Sequence, residues 1–119
     1  MPEINVFRNE TNFQILEAGT VIFKRSDPSD FMYALLEGEV DIIVEGKVVA
    51  TIGSGSLFGE MALIDNGPRS ATAQVKSTAK VVPVDKRRFM FMIQQTPFFA
   101  LQVMQLMAER IRKFDDTVQ

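Results

Sequence analysis

From Asn12 to Val84 the chain is a train of short apolar runs rich in β-branched and aromatic residues, each stopped by a turn signal within a few residues. The runs are Phe13–Leu16, Val21–Lys24, Phe31–Leu36, Val40–Val44, Lys47–Ile52, Ala71–Val75 and Ala79–Val84. The stops are Gly19, the polar corner Ser26–Asp30, Gly38, Gly46, Gly53 and Gly55. Such runs are too short for helices and carry the composition of strands. The clearest pair, Val40–Val44 and Lys47–Ile52, flanks Glu45-Gly46 as the two arms of a hairpin. No helix separates most of these runs, which excludes a parallel α/β sheet. The expected fold is mainly β: an antiparallel jelly-roll β-barrel (double-stranded β-helix) of roughly seven or eight short strands over about 12–84, with one short helix inserted.

After Pro83 the period changes. Asp85 is placed to cap a helix over about 86–94, and Thr96-Pro97 reads as a cap followed by proline in the first helical position, opening a second helix over about 97–116. In that helix Leu101, Met104, Ala108 and Ile111 recur at spacings of three and four, and Val103, Met107 and Phe114 form a second apolar line. One line suffices to dock the helix on its own barrel. Two lines suggest that the helix is covered on both sides, by its own barrel and by a partner, most simply another copy in a homodimer, and a second stripe of merely exposed Met and Val is the alternative.

A chain of 119 residues holds one domain, 1–119, large enough to bury a core without crosslinks. Cysteine and histidine are both absent, which removes disulfides, the commonest zinc ligands and the usual general base of hydrolases. The net charge of -2 and the small size of the basic clusters Lys86-Arg87-Arg88 and Arg110 with Arg112-Lys113 point to solvated faces rather than a nucleic-acid footprint. No apolar stretch is long enough to span a bilayer, and Met1–Glu10 lacks the apolar core of a signal peptide, so a cytoplasmic location is expected.

The segment Leu57–Val75 concentrates the functional signal. Gly59 permits a backbone approach that a side chain would obstruct, and Glu60–Ile64 is long enough for one short helix whose start favours an anion. Asn66-Gly67-Pro68 ends that helix and returns the chain, so that the Arg69 guanidinium is placed to hold a phosphate. A carboxylate beside an anion needs a donor, and a ribose hydroxyl is one, so Glu60 with Arg69 matches both halves of a cyclic nucleotide. A plain Glu60–Arg69 ion pair in a turn fits the same spacing, and spacing alone leaves both readings open.

Phe58-Gly59-Glu60, Ala62-Leu63 and Arg69-Ser70-Ala71-Thr72-Ala73 resemble the phosphate-binding cassette of cyclic nucleotide-binding domains, as in catabolite activator-type regulators and the regulatory subunit of cAMP-dependent protein kinase. The resemblance extends more weakly over nearly the whole chain, through the turn glycines and the final pair of helices. It implies that Glu60 contacts the ribose 2′-hydroxyl, that Arg69 contacts the cyclic phosphate, and that the backbone of Gly59, Met61 and Ala62 lines the same site, with Ser70 and Ala71 beside it. Serine at position 70, where threonine favours cGMP, implies cAMP as the ligand, with cGMP still admissible. Where catabolite activator-type proteins carry a Thr-Ser pair that reaches the adenine, this chain has Phe114-Asp115. Phe114 is a candidate to stack on the base and Asp115 to accept from its exocyclic amine, and packing of Phe114 in a dimer seam with Asp115 solvated remains the alternative.

The resemblance stops where a helix-turn-helix domain begins in those regulators, so no DNA binding by this chain alone is expected. Nor is catalysis: Glu60 and Asp65 make neither a metal-binding cluster nor a tuned acid–base pair. No metal or cofactor is expected beyond the nucleotide. The competing class is an oligomeric interaction module with a degenerate nucleotide pocket.

Overall fold

The computed structural model describes residues 6–118, and the side chains of all of them except 62 and 114–118. Two strands carry the architecture. β3 (Phe31–Val44) and β6 (Thr72–Asp85) are each 14 residues long and pair antiparallel from Phe31↔Asp85 to Ile43↔Thr72. The shorter β1 (Gln14–Leu16) and β2 (Val21–Phe23) pair with β6, while β4 (Lys47–Ile52) and β5 (Ser56–Phe58) pair with β3. Three helices complete the order: α1 (Glu60–Asp65) between β5 and β6, then α2 (Lys86–Gln95) and α3 (Pro97–Val118) after β6.

This arrangement corrects the expected jelly-roll barrel. The pairing path β1-β6-β3-β4 is an open antiparallel sheet whose ends, β1 and β4, do not pair with each other, and the helices are long enough to make the fold mixed α/β rather than mainly β. The physical reason lies at Gly38. Glycine there does not end a strand: at φ 89 it lets β3 continue through an irregular stretch of register between Leu35 and Val40. A Cβ at that position would sit 2.3 Å from the Thr78 carbonyl oxygen, so the two long strands approach closely where the sequence suggests a break. Runs that read as separate strands, 31–36 with 40–44 and 71–75 with 79–84, therefore fuse into two long ones.

Strand periodicity divides the core. Met32 and Ala34 of β3, Leu57 of β5, and Val82 and Val84 of β6 face one side, where Phe89 of α2 and Phe99, Val103 and Leu106 of α3 cover them. Their neighbours in sequence, Leu35, Phe58 and Val81, face the other side with Val40, Ile52, Ala73, Val75 and Ala79. Phe7 inserts from the N-terminal turn into the helical side, edge-on to Phe99 with ring centres 6.0 Å apart.

The helix boundaries follow local chemistry. Asp85 Oδ1 accepts from the Arg88 N–H at 2.7 Å, capping α2, and the Thr96 carbonyl accepts from the Phe99 N–H at 2.9 Å as α3 begins. Along α3, Val103 faces the sheet with Phe99 and Leu106, whereas Leu101, Met104, Ala108 and Ile111 are exposed.

Candidate functional site

β5 ends by burying Phe58 in the sheet-side core, which fixes where the chain turns into α1. Gly59 makes that turn at φ 78 and ψ 10. A Cβ on it would lie 2.6 Å from Arg69 Nη1 and 3.3 Å from Phe23 Cε2, so the residue type is required both by dihedral and by space. After the six residues of α1, Asn66 at φ 59 and an Asp65 Oδ1 acceptor for the Gly67 N–H, 2.9 Å away, reverse the chain.

The returning segment is clipped to the polar corner before β3. The Arg69 N–H donates to the Asp27 carbonyl at 2.9 Å, and the Arg69 carbonyl accepts from the Ser26 N–H at 2.8 Å. This clip aims the Arg69 side chain inward, where it is 5% exposed. Nη1 donates to the Gly59 carbonyl at 2.9 Å and Nη2 to the Phe31 carbonyl, while Nε is buried without a protein partner. The guanidinium carbon lies 3.9 Å from the centre of the Phe23 ring. Burial pulls the Arg69 pKa below the ordinary arginine value, opposed by the fields of Tyr33, Asp30, Asp27 and Glu60. Burial likewise raises Tyr33, with the Arg69 charge acting against it.

Glu60, 3% exposed, takes its partner from the far end of the chain. Arg110 of α3 donates from Nη1 to Glu60 Oε1 at 2.6 Å and from Nη2 to the Leu57 carbonyl. The Glu60 and Arg69 side chains are thus held near the Gly59 turn by separate partners, rather than joined in the turn ion pair that their spacing also allowed. Arg110 is the residue that sequence reasoning missed, having been grouped with a solvated basic cluster. A signal for it exists: the sheet-facing positions 99, 103 and 106 continue at helical spacing to 110.

Of the other predicted site residues, Met61 and Ser70 are exposed, Ala71 is partly buried, and Ala62 lies within α1 with its side chain outside the described set. The candidate base contacts Phe114 and Asp115 lie outside the described residues. Among the described residues no group of three or more Asp or Glu side chains is arranged to hold a metal ion. A separate cavity of about 310 Å³ opens between α1, α2 and α3, lined by Leu63, Phe89, Ile93, Val103 and Met107 among others. It is apolar and contains neither Arg69 nor Glu60; at its edge Lys86 Nζ donates to Asn66 Oδ1 at 2.5 Å.

The family model described as cyclic nucleotide-binding domain matches residues 13–96, which contain the whole Phe58–Ala73 cassette. The chain belongs to that family. It is 36% identical over 76 residues to the cAMP-dependent protein kinase regulatory subunit of Schizosaccharomyces pombe, a match covering 63% of this chain and 18% of that protein. Among solved structures it resembles the Thermus thermophilus catabolite activator protein, with a TM-score of 0.79 at 28% identity over 90% of this chain and 53% of that one. It also resembles the regulatory domain of Toxoplasma gondii PKA, co-crystallised with cAMP, with a TM-score of 0.62 at 29% identity over 66% of this chain and 31% of that one. The chain therefore spans about a fifth of the kinase subunit and about half of the activator.

As a cyclic nucleotide-binding domain the chain is a ligand-binding module. The matched residues end at 96, so α3 and its Arg110 contact to the cassette lie beyond them. No helix of the described residues is long and apolar enough to cross a membrane.

Proposed function

We propose that the chain acts as one sensing unit for cAMP, with Arg69 receiving the cyclic phosphate and Glu60 the ribose 2′-hydroxyl. The observation that carries this reading is the buried Arg69 guanidinium, fastened on two edges to carbonyls and left with an unpartnered Nε–H. A buried donor without an acceptor is costly, and an anionic oxygen satisfies it with a charge-assisted bond. Gly59, Met61 and Ala62 supply backbone to the same site, and Ser70 and Ala71 flank it. Ser70, exposed beside Arg69, is the position from which we infer a preference for cAMP over cGMP.

The exposed line Leu101, Met104, Ala108 and Ile111 supports a homodimer through α3, and it is also what an interaction module with a degenerate pocket would use. Calorimetric titration with cAMP and cGMP, with light scattering on the same samples, separates the two. Binding of cAMP that weakens by about 2–5 kcal/mol in Arg69→Ala, with a smaller loss in Glu60→Ala, is expected. Absence of heat from either nucleotide up to millimolar concentration, in a dimer indifferent to both, leaves the interaction module.

A further inference from the structure

Phe23 lies outside the Leu57–Val75 segment, yet its ring lies against the face of the Arg69 guanidinium. Its ring is held in turn. It stacks on Tyr33 with centres 6.1 Å apart and planes at 27°, and tilts against Phe58 at 6.1 Å, while Tyr33 and Phe58 stack at 5.3 Å and 16°. Its backbone is paired with Ala73, in the strand that begins just after Arg69. Beside the ring Gly59 comes so near that an added Cβ would touch both Nη1 and the Phe23 ring. The guanidinium is therefore confined in a slot with an aromatic floor.

The floor decides which parts of Arg69 remain available. A guanidinium donates only in its own plane, so a ring on its face leaves every edge donor free for an in-plane acceptor. Nη1 and Nη2 donate to the Gly59 and Phe31 carbonyls, and Nε–H is left buried without a partner. Phe23 also carries no charge. Asp27, Asp30 and Glu60 are near enough to act on Arg69 through their fields, but among the described residues none forms an ion pair with it. A carboxylate in place of the ring would hold the guanidinium as well and compete with an anion for it.

We propose that Phe23 is a positioning residue for nucleotide binding: its ring holds the Arg69 guanidinium flat, with a donor edge turned to the ligand phosphate and no carboxylate paired to it. This rests on the proposed role of Arg69, and the test separates the two. The Arg69 Nε–Hε resonance is assigned by ¹H–¹⁵N NMR in the wild-type chain, Phe23→Leu and Phe23→Tyr, and each is titrated with cAMP. In the wild type, Arg69 side-chain protons over the ring are expected to be shifted upfield by its ring current. Phe23→Leu is expected to lose that shift and bind cAMP roughly 5–20-fold more weakly, whereas Phe23→Tyr keeps the shift and stays within about 2-fold of wild type. Wild-type binding of cAMP without an upfield Arg69 signal, or equal affinity in Phe23→Leu, overturns the role of Phe23 alone. The wild-type spectrum decides the contact even if Phe23→Leu does not fold. A chain that shows the shifted signal but binds neither cAMP nor cGMP overturns the role of Arg69 instead.

Discussion

The two faces of the β3–β6 ladder are buried by different means. One is covered by Phe89, Phe99, Val103 and Leu106 from two helices and by Phe7 from the N-terminal turn. The other is filled by strand side chains alone, with Phe58 inside it and the Phe23 and Tyr33 rings packed against it. The cassette straddles them: Leu63 of α1 packs with the helices, Phe58 just before Gly59 packs with the strands, and Arg69 rests on Phe23. The difference teaches that the two buried charges of the site belong to different supports. Arg69 is anchored to the sheet. Glu60 is anchored to α3 through Arg110.

The strongest way to break this division is Phe99→Ala. Removing a fully buried ring from the helical face should cost about 3–5 kcal/mol of stability in urea unfolding. In the molecules that stay folded, the Arg69 side-chain signal should not move, because Phe99 and Phe23 lie on opposite faces. A shift in that signal as large as the one produced by Phe23→Leu would show that the faces do not act separately.

Arg110→Met sharpens the comparison. It keeps an apolar stem but leaves the Glu60 carboxylate buried without its cation, a loss of about 3–5 kcal/mol for a fully buried pair. Arg110 retains 27% side-chain exposure, so about 2–3 kcal/mol is expected, with much of it recovered in the double variant that also carries Glu60→Gln. Additive losses in urea unfolding would mean that the two side chains stabilise the fold independently.

The smallest effect concerns the N-terminal turn, which ties to α2 through Glu10 Oε2 and Arg88 Nη2, 2.6 Å apart. The hydrogen bond from Arg88 holds the Glu10 carboxyl below its ordinary value, against an opposing effect of burial. A carboxyl lowered in the folded state stabilises above the unfolded-state value, and that contribution disappears as pH falls through it toward the folded value. The pair is partly solvated, so Glu10→Gln should cost at most about 1 kcal/mol at neutral pH, and its difference from wild type should vanish on acidification. A difference that persists in acid would assign the effect to packing rather than charge.

Much of the local structure was legible before any fold was known. Asp85 and Thr96-Pro97 marked the helix starts because caps act over one turn, and the hairpin around Glu45-Gly46 follows from β-branched arms and a turn glycine. The proximity of Arg69 to the Gly59 turn was also within reach, since Arg69 lies only 10 positions after Gly59. Gly38 misled because a glycine permits a bulge as readily as a break, and only the strand beside it chooses. The partners of the two charges were out of reach for a related reason. Phe23 lies 46 positions before Arg69 and Arg110 lies 50 after Glu60, and no local pattern reports such contacts.

What the sequence determined by itself was therefore short-range: where the helices and most of the strands start, which residues can turn, and which cassette the 57–75 segment resembles. Tertiary structure decided whether the sheet closes and which side chains hold Glu60 and Arg69. Turn and cap preferences act over a few residues, whereas burial of a charge depends on surfaces brought together only when the whole sheet and its helices have packed.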